Sequence, residues 1–120
     1  MSAHHNTSAI GIYNRTRSQI QPYIRSSDSF VKVSSLVGKF TSANFQVLIQ
    51  GKAVRMLITS LRTLMPDEIL VDAQKGKYGG TWLHPRLAVF VLSKADAQMG
   101  FVLMDMIQPM DALVAEEDDD

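Results

Sequence analysis

The chain has 120 residues, no cysteine, and twelve basic against twelve acidic side chains, so its formal net charge is zero. Its length and its 46% hydrophobic content suit one domain with its own core. The absence of cysteine excludes disulfides, thiolate metal sites and a cysteine nucleophile. No apolar run approaches the roughly 20 residues of a membrane span, so we expect no membrane insertion.

The zero net charge hides an uneven distribution. Residues 9–95 hold all twelve Lys and Arg but only four acids, a balance of 12 − 4 = +8, whereas residues 116–120 are all acidic. Adjacent like charges repel and stay hydrated. We therefore predict a disordered leader (residues 1–8), one folded domain (residues 9–110) and a disordered acidic tail (residues 111–120). The tail serves either as a solubilising end or as a competitor of polyanions for the basic body.

The first elements of the domain are short. Runs rich in β-forming residues at positions 9–14 and 19–25 predict an N-terminal β-hairpin, with Pro22 on its edge. Turn-forming residues follow at Ser26–Ser29, and the apolar residues after them predict a short strand that leads into a short helix ending near Gly38.

The clearest amphipathic pattern lies at residues 52–64. The apolar positions recur every three or four residues, which predicts the buried face of an α-helix, and they are Val54, Leu57, Ile58, Leu61 and Leu64. Lys52, Arg55 and Arg62 recur on the opposite face, and Pro66 is expected to end the helix. A cationic stripe is often an ordinary solvated face, but no acid interrupts this one, which favours contact with phosphates.

A glycine-rich segment follows the helix. Residues 69–73 and 81–84 are predicted to be the two strands of a β-hairpin, joined by residues 74–80. The glycines permit positive φ and close backbone approach, while Trp82 is expected to bury in the core and hold the strand. The sequence thus predicts a basic hairpin tip anchored by a core tryptophan.

Two helices are predicted after the hairpin. Pro85 has its φ preset for a first helical position, and the apolar residues 87–92 suit a buried helix. Asp96 is expected to cap a second helix that runs to Ile107. Its expected core side chains are Met99, Phe101, Val102, Leu103, Met104 and Met106.

The run GKYGGTWLHPRLA at residues 76–88, with the apolar helix after it, resembles the C-terminal half of a KilA-N domain. This family occurs in phages and large DNA viruses and is similar to the APSES DNA-binding domain of fungal transcription factors. Asp28 and residues 31–36 correspond more loosely to an acidic turn and an I-N-A-T-x-L pattern of the family, so the resemblance covers residues 20–108. The family signature G-G-T-W-x-H-P is matched by Gly79, Gly80, Thr81, Trp82, His84 and Pro85.

The resemblance implies a small α+β fold with winged-helix character that binds double-stranded DNA, with the glycine-rich hairpin as its wing. It also implies a phage or viral regulator of transcription that acts inside the host cell, in the cytoplasm or the nucleus. Two positions depart from the family pattern. The Asn of I-N-A-T is Lys32 here, and the helix that is aromatic and basic in the family is Asn44–Gln50, which keeps Phe45 but has no cation.

Candidate DNA-contacting residues come from the basic helix face, the hairpin and the helix start after it. A cation that neutralises a phosphate releases counterions, and an arginine in the major groove can pair with guanine edges. Near a helix start, backbone N–H groups also attract phosphate. The predicted DNA-binding residues are Lys32, Lys39, Lys52, Arg55, Arg62, Lys75, Lys77, Tyr78 and Arg86.

Catalysis is not expected. His4 and His5 lie in the leader without ligands at metal spacing, and His84 stands alone at a helix start, where it suits a capping or core role. The carboxylates have no nucleophile or histidine at a diagnostic spacing, so we expect no enzyme, no metal and no cofactor.

The alternative is a protein-interaction module on a KilA-N-like scaffold with reduced or lost DNA binding. Such a module would use the acidic tail or an apolar face, and a homodimer is also open. For DNA binding, Lys52, Arg55, Lys75, Lys77 and Arg86 should converge on one side of the domain. For an interaction module, they should be dispersed beside an exposed apolar patch.

Overall fold

The computed structural model describes residues 2–77 and 79–107, with side chains from residue 9 onward. Within these residues the chain forms an α+β fold of six α-helices and one antiparallel β-hairpin. The predicted acidic tail, residues 111–120, lies outside the described residues. The elements are α1 (Ser2–Ile20), a 3₁₀ turn (Gln21–Tyr23), α2 (Val33–Phe40), α3 (Phe45–Gln50), α4 (Lys52–Leu64), β1 (Val71–Gln74), β2 (Gly80–Leu83), α5 (Pro85–Ala95) and α6 (Ala97–Ile107).

The N-terminal β-hairpin predicted for residues 9–25 is wrong, because most of this segment belongs to α1. Tyr13, Thr16 and Ile20 recur at helical spacing; Thr16 and Ile20 are buried, and Tyr13 is half-buried against the core. Packing of this face thus overrides the β-propensity of single residues. Residues 2–8, which fall in the predicted leader, also lie in the range of α1.

A polar contact fastens α1 to α6. The Tyr13 hydroxyl donates a hydrogen bond to Asp105, and this bond raises the pKa of Tyr13. The two residues are far apart in the sequence, so the contact forms only when the first and last helices are side by side. Together with the packing of α1 on α6, it fixes the position of this helix in the fold.

The amphipathic helix is confirmed with the predicted bounds. In α4, Val54 and Leu61 are buried, and Leu57 and Ile58 are half-buried against the core. Leu64 was expected on the same face but is 76% exposed. Leu64 is the last residue of α4, and Met65, which follows it, packs against the core instead.

The hairpin is confirmed, but its core anchor is a different residue. β1 and β2 pair in antiparallel register, with Val71 opposite Leu83. Leu83 is fully buried and also exchanges two backbone hydrogen bonds with Val31, at 3.0 and 2.8 Å. Neighbouring residues of a strand point to opposite faces. Trp82 is therefore only half-buried, and the prediction of a core tryptophan is wrong.

The C-terminal helices begin at the predicted positions. Pro85 is the first residue of α5, and the Asp96 carboxylate caps α6 by accepting a hydrogen bond from the Met99 backbone N–H at 3.0 Å. Phe101 and Met104 were expected in the core, but they are 59% and 42% exposed. They lie three residues apart, on the side of α6 that turns away from the buried side chains.

The core is formed by side chains from all six helices and β2. The position of β2 follows from its contacts with α2, while α5 packs on both α4 and α6. The hairpin therefore packs on α2, whereas α4 packs on α3 and α5. The fully buried large side chains are Ile20, Val31, Val33, Leu36, Val37, Val54, Leu83, Leu87, Val91, Leu92 and Leu103.

Candidate nucleic-acid interface

One arginine is held by aromatic rings and carboxylates at the base of the hairpin. The Arg25 guanidinium carbon lies 4.9 Å from the centre of the Trp82 ring and 5.1 Å from that of Phe30. The guanidinium also forms ion pairs with Asp28 at 2.8 Å and with Asp72 at 3.0 Å. Because it joins the turn after the 3₁₀ segment to both strands, Arg25 stabilises the fold around the hairpin.

Arg25 and Asp28 shift each other's pKa. The hydrogen bond from Arg25 lowers the pKa of Asp28, and the same bond raises the pKa of Arg25. Asp28 also accepts a hydrogen bond from the Phe30 backbone N–H at 3.1 Å, which closes the turn. This role of Arg25 was not predicted from the sequence, although the spacing of Arg25 and Asp28 was a usable signal for an ion pair.

Lys32 lies beside the same tryptophan. Its ammonium is 5.7 Å from the centre of the Trp82 ring, its side chain is half-buried, and it runs past Gly80 of β2. Lys32 therefore lies at the base of the hairpin, on the side of the sheet that carries Trp82.

The hairpin tip carries two exposed lysines, Lys75 and Lys77. Gly76 has a positive φ of 105°, a region that residues with a side chain rarely adopt. The backbone N–H of Gly79 donates to the Gly76 carbonyl at 3.0 Å, and a Cβ at Gly79 would collide with the backbone at the end of β1. These glycines allow the tight turn that presents both lysines, while Tyr78 lies outside the described residues.

The exposed face of α4 carries the largest group of basic side chains without an ion-pair or hydrogen-bond partner among the described residues. Lys52, Arg55 and Arg62 are all exposed, and their side chains have no ion pair or hydrogen-bond partner among the described residues. From Lys52 to Arg62 the helix rises about 15 Å at ~1.5 Å per residue. We call these three residues the α4 stripe.

Shallow grooves accompany the α4 stripe. One of about 490 Å³ is lined by Lys52, Arg55, Met56, Thr59 and Ser60. A second of about 280 Å³ continues along Arg55 and Thr59 to Arg62. The α4 stripe thus borders a concave, hydroxyl-lined surface, on which an extended anion would meet cations along about three turns of the helix.

The acids of the folded part do not neutralise the α4 stripe. The described residues contain twelve Lys and Arg and six acids, a balance of 12 − 6 = +6. Five of the six acids contact other groups and none of the six forms an ion pair with the α4 stripe, so its positive charge is uncompensated within the part of the chain that the structure describes. Their contacts are Asp28 and Asp72 with Arg25, Glu68 with His84, Asp96 with the Met99 N–H, and Asp105 with Tyr13.

Two further candidates stand apart from these groups. Lys39 lies in the last turn of α2, with its ammonium 5.5 Å from the centre of the Phe40 ring. Arg86 is exposed in the first turn of α5. The capping role predicted for His84 is confirmed, because its Nδ1 accepts from the Arg86 backbone N–H at 3.2 Å while its Nε2 lies 3.1 Å from Glu68.

The structure brings the candidates together in two sets and leaves two single residues. The first set is the α4 stripe, and the second is Lys32, Lys75 and Lys77 on or beside the hairpin. α4 packs on α3 and α5, whereas β2 packs on α2. The convergence of both sets and Arg86 on one surface stays a prediction.

Within residues 9–77 and 79–107, whose side chains the structure describes, no three His, Asp or Glu side chains lie close enough together to hold a metal ion. No helix of this part of the chain combines the length and the apolar character that a membrane crossing requires.

Comparisons with protein-family models, curated proteins and solved structures find no match for the chain. The resemblance to KilA-N domains therefore rests on the motif residues alone.

Proposed function

We propose that this protein binds double-stranded DNA through the α4 stripe, with the β1–β2 hairpin as the wing of a winged-helix domain of KilA-N type. One observation carries the proposal: Lys52, Arg55 and Arg62 are exposed, have no ion-pair partner among the described residues, and share a helix without any acid. Duplex DNA attracts such a surface because each neutralised phosphate releases counterions.

The dimensions of α4 support a duplex as the ligand. Each DNA strand carries one phosphate per ~3.4 Å of helix axis, so a stripe of about 15 Å faces about four phosphates. The major groove is about 12 Å wide and admits an α-helix. Arg55 and Arg62 lie about two turns apart on one face, where each guanidinium can form a bidentate contact with a phosphate or a guanine edge.

The hairpin adds a second set of cations. Lys75 and Lys77 project from a tip whose glycines permit close approach to another backbone. In a regulator of phage or viral type, binding would take place in the cytoplasm or nucleus of the host cell. The α4 stripe is the primary site in this proposal, since its cations lie in one row.

The experiment is fluorescence anisotropy with a labelled duplex of random sequence over a salt series. For the wild-type protein we expect the logarithm of the association constant to fall linearly with the logarithm of salt concentration. The double variant Lys52→Glu with Arg55→Glu should bind at least about tenfold more weakly at low salt, and its slope should be shallower by about two.

A matched control separates the α4 stripe from overall charge. Arg15→Glu with Lys94→Glu changes the net charge equally, but at exposed positions on α1 and α5. This control should keep nearly wild-type affinity, and equal weakening by both double variants would contradict an α4 site.

Lys75→Glu with Lys77→Glu should also weaken binding without unfolding the protein, and unchanged binding would count against the hairpin as a wing.

A second candidate function, interaction with another protein or with a second copy of the chain, is favoured by the apolar side of α6. Phe101 and Met104 expose 59% and 42% of their surface and lie three residues apart on that helix. Sedimentation equilibrium of the wild-type protein and of Phe101→Ser tests self-association. A concentration-dependent mass that the substitution abolishes would support it, and a monomer at every concentration would contradict it.

A further inference from the structure

The net charge of the described residues is equal and opposite to that of the residues that follow them. The described part has a balance of +6, and residues 108–120 contain six acids and no Lys or Arg, a balance of −6. Five of these acids are consecutive, at Glu116–Asp120. We infer that this acidic run binds the α4 stripe within the same molecule and competes there with the DNA backbone. The competition rests on the proposed function, whereas the intramolecular contact does not.

The α4 stripe is the best binding site for the acidic run because the other basic side chains either have partners already or lie apart from one another. Arg25 already holds two carboxylates, and Lys39 and Lys94 lie over the rings of Phe40 and Phe90. Lys32 and Lys77 also have interactions of their own. Among the described residues, α4 is the element that presents three exposed cations without partners in one row.

The length of the intervening chain suits this contact. α4 and α6 both pack on α5, and packed helix axes lie about 8–10 Å apart, so the axes of α4 and α6 are within about 20 Å of each other. From Ile107 to Glu116 an extended chain spans up to about 30 Å at ~3.3 Å per residue. This span exceeds the separation of the two helix axes, which is compatible with a contact between the acidic run and the α4 stripe.

The covalent connection between α6 and the acidic run also determines how strong the contact has to be. Single exposed ion pairs are weak and are screened by salt. Covalent connection within one chain, however, gives the acids an effective concentration near ~1 mM at the α4 stripe. The contact is then frequent at low salt but easily displaced by a duplex, which offers more charges and a fixed spacing. Such a tail reduces nonspecific binding more than it reduces tight binding.

Paramagnetic relaxation enhancement in the full-length chain tests the intramolecular contact. Since the sequence has no cysteine, Ala115→Cys provides a single attachment site for a nitroxide and leaves all five terminal acids in place. We expect broadening of backbone amide signals at Lys52, Arg55 and Arg62 at low salt. The broadening should disappear at high salt and in the background of Lys52→Glu with Arg55→Glu.

The same spectra contain the results that would overturn the inference. Broadening centred on the hairpin lysines instead of α4 would assign the tail to another surface. Absence of broadening anywhere on α4 at low salt would exclude the contact. Neither result depends on DNA, so the contact can be rejected or supported even if the protein fails to bind a duplex.

Duplex affinity tests the competition. Neutralising the acidic run should tighten binding about threefold to tenfold at low salt and have little effect at high salt. The same neutralisation in the background of Lys52→Glu with Arg55→Glu should change nothing, because the shared site is gone. Unchanged affinity in the wild-type background would overturn the competition. The five substitutions are Glu116→Gln, Glu117→Gln, Asp118→Asn, Asp119→Asn and Asp120→Asn.

Discussion

Two groups of basic side chains in this protein differ in what surrounds them. Arg25 contacts two carboxylates and two aromatic rings at the base of the hairpin. Lys52, Arg55 and Arg62 on α4 have neither kind of partner among the described residues. Because the partners of Arg25 satisfy its charge, it contributes to folding, whereas the α4 cations are available to an external anion. Substitutions should therefore affect stability at one site and binding at the other.

Removal of the tryptophan ring should have the largest effect on stability. Trp82→Ala deletes the surface on which Arg25 and Lys32 lie, and we expect a loss of about 2 kcal/mol, below the ~3–5 kcal/mol of a fully buried aromatic residue. Urea denaturation measures this loss. Ile69→Ala, at a 67% exposed position, is the control and should cost less than about 0.5 kcal/mol. Equal stability of the two variants would mean that the ring does not hold the hairpin.

The ion pair of Arg25 should make stability depend on acid pH. Because Arg25 lowers the pKa of Asp28 in the folded state, the pair stabilises the protein above the ordinary carboxylate pKa, near ~4. This contribution is lost as the pH falls through the lowered folded-state pKa. Arg25→Gln should therefore melt below the wild type at neutral pH, and the difference in Tm should shrink on acidification toward about pH 2.

The α4 stripe supplies the control for this pH series. Arg55→Gln removes a cation that has no carboxylate partner among the described residues, so its Tm should follow that of the wild type at every pH. If Arg55→Gln showed the same acid dependence as Arg25→Gln, the contrast between the two groups would be lost.

The smallest expected effect concerns the turn that holds Arg25 and Asp28. Ser29 has a φ of 66°, a left-handed conformation that costs a residue with a side chain about 1–2 kcal/mol. Ser29→Gly relieves this strain but gives the unfolded chain more freedom, so we expect a net gain of about 0.5 kcal/mol in thermal denaturation. Ser27→Gly, where φ is not positive, should instead be neutral or slightly destabilising. A loss of stability in Ser29→Gly would contradict the presence of backbone strain at this position.

Local patterns predicted the positions of the helices and the hairpin in residues 52–107. The three- and four-residue spacing in α4, the glycines of the hairpin, and Pro85 at the start of α5 each act through the backbone of their own segment. Such signals do not need the rest of the molecule. The N-terminal hairpin was predicted from β-propensity, which is weaker than the packing of Tyr13 and Ile20 on α1 against the rest of the domain.

The helix face that carries the α4 stripe was predictable, but the surroundings of the basic residues were not. Sequence spacing placed Lys52, Arg55 and Arg62 on one helix face, and the structure agrees. It did not show that Arg25 is paired with Asp72, because the two residues are far apart in the chain and meet only when β1 is placed. The sequence likewise placed Trp82 in the core, although Leu83 occupies that position.

By itself the sequence determined where α4, the hairpin and the last two helices lie, and that the positive charges precede an acidic end. These properties depend on residue order alone, through backbone preferences and the addition of charges. The tertiary structure decided which face of β2 is buried, that α1 is a helix, and which cations are already paired. Those outcomes depend on contacts between residues far apart in the chain, and such contacts exist only after the helices and the hairpin have packed together.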